Sequence, residues 1–184
     1  GFKHHFGRDR FKEAFPPVFL RLFHLNSRLM REILGEGNRK RYYIPAMHEN
    51  DDDQDNQPTA YEQLGGEPVL RKLTQRFYEI MDTVEDFKEL RAMHPGNIAG
   101  SEEKLFLFLS GWLGGPNLFM EKSGHPRLRA RHMPFKIDIA ARNQWVMCMV
   151  QAFDDLKISE PLRSELLHSL LKLADHMRNV QEAT

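Results

Sequence analysis

The stretch GHPRLRARHMPF, residues 124–135, interrupts a chain that is otherwise patterned for helices. It holds two histidines, three arginines and two prolines, a mixture that suits neither a buried core helix nor a solvated helix face. His132 comes two residues before Pro134, and the residue that precedes a proline is pushed out of helical geometry. Any helix through HPRLRAR must therefore end at about His132, which leaves the imidazole near a free helix end.

The side chains around His132 suit a flat ligand that carries a metal. Leu128 lies one helical turn earlier on the same face, and Arg127 and Arg131 form an i, i+4 pair on another face. An imidazole above an apolar platform, with cations beside it, matches haem, whose iron takes a proximal histidine. Two alternatives stay open at this point. A lone histidine is usually a hydrogen-bonded surface or core residue, and zinc is disfavoured because no second ligand stands three or four residues from His132.

Outside this loop, residues 58–184 show helical periodicity without a hairpin or an internal repeat, which predicts an all-α domain. A short helix is expected over residues 60–64, ending at Gly65–Gly66, and a longer helix over residues 67–82. Residues 101–116 predict a third helix that ends at its Gly-Gly-Pro sequence. The predicted N-terminal caps of the two remaining helices are Asp138 and Ser159.

Apolar residues at helical spacing predict which helix faces form the core. On the third helix the predicted face consists of Ser101, Leu105, Phe108, Leu109 and Trp112. The other predicted core residues are Leu70, Leu73, Phe77, Ile80, Met81, Trp145, Cys148, Met149, Ala152, Phe153, Leu156, Leu162, Leu166, Leu170, Leu173 and Met177.

The composition is that of one folded domain with an extension. Apolar residues at 41% and charged residues at 28% are globular values. No stretch approaches the roughly 18 consecutive apolar residues of a membrane span. The single cysteine, Cys148, excludes an intramolecular disulfide framework and fits a reducing compartment, so we expect a cytoplasmic protein.

Charge divides the chain into two parts. Residues 1–46 hold ten basic and four acidic residues, whereas the remainder holds 16 basic and 22 acidic residues. The stretch HENDDDQDNQPT, residues 48–59, is acidic and lacks aliphatic side chains, which predicts a disordered linker. We therefore assign residues 1–57 to a basic extension with its linker and residues 58–184 to the folded domain.

The extension contains a basic amphipathic helix, for which three interpretations compete. One is an arm that binds a membrane surface or a partner protein. The other two are a flexible tail and sequence that lies upstream of a natural start at Met47. We favour these two over the binding arm.

Five motifs together resemble one protein family. They are YEQLGGE at residues 61–67, RFYEIM at 76–81, FLSGWLGGP at 108–116, GHPRLRARHMPF at 124–135 and RNQWVMCM at 142–149. With these motifs the stretch 61–180 resembles the group II truncated haemoglobins. The resemblance implies a truncated two-over-two globin fold, preceded here by the basic extension, since residues 1–57 match nothing in the family.

The resemblance also implies roles for individual residues. On the proximal side, His132 corresponds to the iron ligand, Arg131 to the partner of a haem propionate, and Leu128 and Phe135 to residues that contact the haem. On the distal side the residues that correspond to ligand-binding positions are Tyr78, Trp145, His94 and Ser101. Leu105 and Phe108 correspond to residues that contact the haem. Some relatives carry glutamine where Leu105 stands, so a third strong hydrogen-bond donor is missing. Without the resemblance, Trp145 and Phe108 would be core residues, Tyr78 an edge residue and His94 a loop residue.

The function implied is that of a haem protein, with haem b as cofactor, which binds dioxygen and other diatomic ligands. Strong distal donors slow ligand release, which favours sensing, scavenging or redox chemistry on nitric oxide or peroxide over bulk transport. Activity of a nitric oxide dioxygenase or peroxidase kind would require a reductase that the sequence does not identify. We expect a monomer or homodimer and no nucleic acid partner. The alternative is a haem-free helical interaction module with a basic membrane- or partner-binding arm.

Overall fold

The computed structural model describes residues 57–180, and the secondary structure of that range is entirely helical. This confirms the all-α prediction for the domain. The predicted basic extension, its amphipathic helix and nearly all of the acidic linker lie outside the described residues, as do residues 181–184. Among the described helices, none is long and apolar enough to cross a membrane.

The helices follow one another through short connections. A 3₁₀ turn at Glu85–Phe87 joins the second helix to the third. In chain order the α-helices of the described range are α1 (Ala60–Leu64), α2 (Gly66–Thr83), α3 (Lys88–Ala92), α4 (Ala99–Trp112), α5 (Leu118–Ser123), α6 (Leu128–His132), α7 (Ile139–Asp155) and α8 (Leu162–Met177).

Two helix pairs form the framework of the domain. Helix α2 packs on α4, helix α7 packs on α8, and the contact of α2 with α7 joins the two pairs. Each of these helices buries an apolar stripe, because apolar surface removed from water stabilises the fold. The largest fully enclosed apolar side chains are Phe77, Phe106, Phe153, Leu70, Leu73, Ile80, Met81, Leu109, Met149 and Leu167.

Helix α1 is fixed at both ends and against the end of α4. Thr59 and Glu62 form a capping box, and Gly65 ends the helix with a φ of 109°, a left-handed conformation that glycine adopts readily. The backbone N–H of Tyr61 donates to the carbonyl oxygen of Leu113 at 2.9 Å. Gly115 lies so close to the Tyr61 ring that a Cβ atom there would stand 2.5 Å from Cγ of the ring. The two glycine-containing motifs therefore contact each other in space.

One of the two predicted caps is confirmed and the other is wrong. The side chain of Asp138 accepts from the backbone N–H of Ala141 at 2.8 Å and begins α7 as predicted. Ser159 does not cap α8, which begins at Leu162. A proline disfavours helical geometry at the residue before it, so a helix that began at Ser159 could not continue through Glu160 into Pro161.

Helix α4 carries apolar side chains on two sides, and only one side is enclosed. Phe106 is 1% exposed and Leu109 is 2% exposed. A helix that is apolar around most of its circumference cannot bury every face against the few neighbours it has. Four of the five residues of the predicted core face are therefore only half-buried, namely Ser101, Leu105, Phe108 and Trp112.

The contact of Gly115 with Tyr61 yields a prediction about stability. Gly115→Ala should lower the free energy of unfolding by about 1–3 kcal/mol, because the added methyl overpacks a site that has no room for it. Gly100→Ala is the matched control, since a Cβ atom there meets nothing within 4 Å. Urea unfolding measures both variants, and equal stability of Gly115→Ala and the wild type would contradict the packing described for α1.

Candidate functional site

The imidazole of His132 is held in one tautomer by its own helix. Helix α6 ends at His132, as the position of Pro134 predicted. Nδ1 of His132 lies 2.7 Å from the carbonyl oxygen of Leu128. Because a carbonyl oxygen only accepts, Nδ1 carries the proton and donates it, which leaves the lone pair on Nε2. The imidazole is half-buried, and nothing within residues 57–180 pairs with Nε2. Histidines that bind metals are oriented by this kind of hydrogen bond on the other ring nitrogen.

Three aromatic rings lie side by side where α2 meets α7. The ring centroid of Phe77 is 5.0 Å from that of Tyr78 and 5.2 Å from that of Trp145. Phe77 is fully buried, so it supports both neighbours from the core side. The sequence pattern marked Phe77 as a core residue without revealing this supporting position.

The aromatic group presents two hydrogen-bond donors. Burial raises the pKa of the Tyr78 phenol, and smaller contributions from Glu102 and Cys148 raise it further. The hydroxyl therefore stays protonated and able to donate, and the indole N–H of Trp145 can only donate. Within the described part of the chain, neither group has a hydrogen-bond acceptor.

His94 lies beside this aromatic group. Its ring centroid is 5.8 Å from that of Tyr78, and its Nδ1 lies 2.9 Å from the carbonyl oxygen of Leu90. Burial lowers the pKa of His94 most, the hydrogen bond to Leu90 opposes this effect, and the charges of Arg91 and His132 lower the pKa further. His94 is therefore neutral at pH 7, with its proton on Nδ1 and its lone pair on Nε2.

The half-buried stripe lies on α4, which packs against α2, the helix that carries Phe77 and Tyr78. Ser101, Leu105 and Phe108 lie on this stripe. The charge of Glu102, the neighbour of Ser101, adds to the effect of burial in raising the pKa of the Tyr78 phenol. Within the described residues, the side chains of this stripe form no ring contact and no hydrogen bond with Tyr78, Trp145 or His94.

The segment that carries His132 is strongly basic. Residues 122–137 contain five lysines and arginines and no acidic residue. Arg131 donates through Nε to the carbonyl oxygen of Pro126 at 2.9 Å, and no carboxylate within residues 57–180 pairs with its guanidinium. Leu128 is half-buried and Phe135 is 45% exposed. An unpaired cation and accessible apolar side chains beside His132 suit a ligand with a large apolar face and an anionic edge.

The residues at this site fit a haem. Nε2 of His132 supplies a nitrogen with a free lone pair, which is the ligand that a haem iron takes in globins. The half-buried side chains of Leu105, Phe108 and Leu128 supply apolar surface that the protein itself does not cover. Arg131 supplies the cation that a haem carboxylate requires.

Comparisons with known proteins identify the family. The family model of bacterial-like globins matches residues 59–179. The group 2 truncated hemoglobin YjbI of Bacillus subtilis (strain 168) is 37% identical over 123 residues, which cover 67% of this chain and 90% of that relative.

Solved structures agree with this match. The cold-adapted truncated hemoglobin from the Antarctic marine bacterium Pseudoalteromonas haloplanktis TAC125 is 49% identical, with a TM-score of 0.65, and the match covers 67% of this chain and 100% of that one. The group II 2-on-2 hemoglobin from the plant pathogen Agrobacterium tumefaciens is 41% identical, with a TM-score of 0.66, over 68% of this chain and 98% of that one. The paired helices of the described domain are those of the two-on-two globin fold. This family implies haem-based ligand binding, and the chain belongs to the group II truncated haemoglobins.

Proposed function

We propose that this protein holds haem b through Nε2 of His132 and binds dioxygen and other diatomic ligands at the iron. The observation that carries the proposal is the 2.7 Å hydrogen bond from His132 to Leu128, which leaves Nε2 available as a ligand. Haem supplies the iron at which a diatomic ligand binds. The chain supplies a nitrogen ligand, apolar walls from Leu128, Phe135, Leu105 and Phe108, and a propionate partner in Arg131.

The distal donors Tyr78 and Trp145 give the site its ligand preference. Bound dioxygen carries partial negative charge, so hydrogen bonds from a phenol and an indole stabilise it. Each such bond is worth about 1–3 kcal/mol at a buried site with a charged acceptor. Carbon monoxide is much less polarised and gains less from the same donors. Leu105 has no polar atom to donate, and Ser101 is too short to replace either aromatic donor.

His94 has a different role from the two donors. With its Nδ1 proton committed to the carbonyl oxygen of Leu90, neutral His94 offers only the lone pair of Nε2 to the site. With haem bound, Nε2 of His94 would accept a hydrogen bond or bind the iron itself, and it would not donate to a diatomic ligand.

The physiological role proposed is scavenging or redox chemistry on oxygen, nitric oxide or peroxide, because strong donors oppose the rapid release that transport needs. Activity of a nitric oxide dioxygenase or peroxidase kind needs electrons from a reductase. We propose a cytoplasmic monomer or homodimer, and the single buried cysteine, Cys148, fits a reducing compartment.

The proximal ligand is tested by substitution. The purified wild-type protein should be red, and His132→Ala should weaken or abolish its Soret band, because the variant lacks the nitrogen proposed to hold the iron. His176→Ala is the control, since His176 is exposed and its side chain forms no hydrogen bond with the described residues. A colourless wild-type protein that refuses added haem would leave the haem-free interaction module as the function.

The distal donors are tested by the rate of oxygen release. Tyr78→Phe and Trp145→Phe should each speed dioxygen dissociation by about ten- to a hundredfold, because each variant loses one hydrogen bond to the charged ligand. Stopped-flow measurements with carbon monoxide serve as the control and should change far less. If Tyr78→Phe leaves oxygen release unchanged while Trp145→Phe accelerates it, the phenol does not face the ligand.

The lowered pKa of His94 predicts a pH-dependent stability. The folded protein binds fewer protons at His94 than the unfolded chain, so this contribution to stability is present above the ordinary histidine pKa of about 6.5 and is lost as the pH falls below it. The free energy of unfolding should therefore fall less steeply in His94→Gln than in the wild type between about pH 7.5 and about pH 5.5. Urea unfolding at both pH values measures the slope, and identical slopes would show that His94 does not titrate as described.

A further inference from the structure

The segment that carries His132 is tied to the chain just beyond α8. The side-chain amide of Asn179 donates through Nδ2 to the carbonyl oxygen of His132 at 3.1 Å and to that of Phe135 at 2.8 Å. Its Oδ1 accepts from the backbone N–H of Ile137 at 3.0 Å. One side chain therefore satisfies three backbone groups on the turn that follows the proximal histidine.

Further hydrogen bonds reinforce the same contact. The backbone N–H groups of Asn179 and Val180 both donate to the carbonyl oxygen of Ile137, at 3.0 and 3.3 Å. Nη1 of Arg129, on α6, donates to the carbonyl oxygens of His176 and Arg178. Residues 176–180 thus contact the proximal segment on both sides of His132.

Helix α6 needs such support because it is short and exposed. It has only five residues, no side-chain hydrogen bond at its N-terminal cap and no buried residue. A helix of one turn is unstable on its own. Just beyond it, Met133 is 55% exposed and Phe135 is 45% exposed, so apolar packing supplies little support. The hydrogen bonds to residues 176–180 are the ties that fix where this helix lies.

We propose that Asn179 is a positioning residue that sets the direction of the His132 imidazole. The inference rests on the proposed function, in which Nε2 of His132 holds the haem iron. The ring is fixed to its own helix by the bond from Nδ1 to Leu128. The end of that helix is fixed to the rest of the domain by the Asn179 amide. Loss of the amide leaves this end of the helix with only the bonds at Ile137 and Arg129, so ring and helix shift as one unit and the strength and direction of the bond to the iron change.

Two substitutions test this role in the full-length, haem-loaded protein. Asn179→Asp keeps the oxygen that accepts from Ile137 but replaces the donating nitrogen with an oxygen that faces two carbonyl groups. Asn179→Ala removes all three side-chain hydrogen bonds, while the carbonyl oxygen of His132 keeps its bond from the backbone N–H of Phe135 and the backbone bonds to Ile137 remain. Glu165→Gln is the matched control, because Glu165 is exposed on the first turn of α8 and its side chain forms no hydrogen bond or ion pair with the described residues.

Three readouts separate positioning from general stability. They are the iron–histidine stretching band in the resonance Raman spectrum of the ferrous protein, the rate of haem transfer to excess apomyoglobin, and unfolding followed by circular dichroism. We expect both Asn179 variants to fold, to show a shifted or broadened band, and to lose haem about tenfold faster, since two or three hydrogen bonds are removed. The effect should be larger for aspartate, and Glu165→Gln should match the wild type.

The outcomes are distinguishable from failure of the proposed function. Folded Asn179 variants with the wild-type band and the wild-type rate of haem loss would overturn the positioning role. Variants that are less stable, but whose folded fraction shows the wild-type band, would also overturn the positioning role. Asn179 would then act on the stability of the domain as a whole. A wild-type protein that takes up no haem refutes the proposed function itself.

Discussion

The hydrogen bond from Nδ1 of His132 to the carbonyl oxygen of Leu128 is the constraint on which the site depends. It decides which ring nitrogen carries the proton, and so which one is able to bind iron. It also joins the ring rigidly to a helix of one turn, so the position of the ligand becomes the position of α6. The chain ends that helix with Pro134 and supports it with Asn179. The position of the His132 ring therefore depends more on hydrogen bonds from side chains to backbone carbonyls than on apolar packing.

The distal side is built in the opposite way. Phe77 is fully buried and contacts the rings of both Tyr78 and Trp145, so tight packing sets the directions of the two donors. Packing of this kind leaves little freedom, because enclosed side chains lie in well-defined rotamers. The two donors are thus held by aromatic packing, whereas His132 is held by hydrogen bonds. Leu105 and Phe108 on α4 are apolar side chains that the described part of the chain covers only partly.

Much of this arrangement could be predicted from the sequence, and the exceptions have physical causes. Pro134 and Asp138 act on their immediate neighbours, so the end of α6 and the start of α7 were predicted correctly. Ser159 was wrong as a cap because the conformational restriction imposed by Pro161 outweighs its capping tendency. Helical periodicity places the stripe of α4 in the core, because periodicity shows that a helix face is apolar. It does not show which part of the molecule covers that face. The role of Asn179 could not be predicted, because the His132 carbonyl to which its side chain donates lies 47 residues away in the chain.

The central claim, that Nε2 of His132 holds the haem, is tested most directly by the absorption spectrum of His132→Gly with and without free imidazole. The substitution removes the nitrogen and leaves room for an imidazole molecule in its place. The account predicts a weak or absent Soret band without imidazole and recovery of the wild-type band when imidazole is added. A wild-type Soret band in His132→Gly without imidazole would contradict the account, because another residue would then hold the iron.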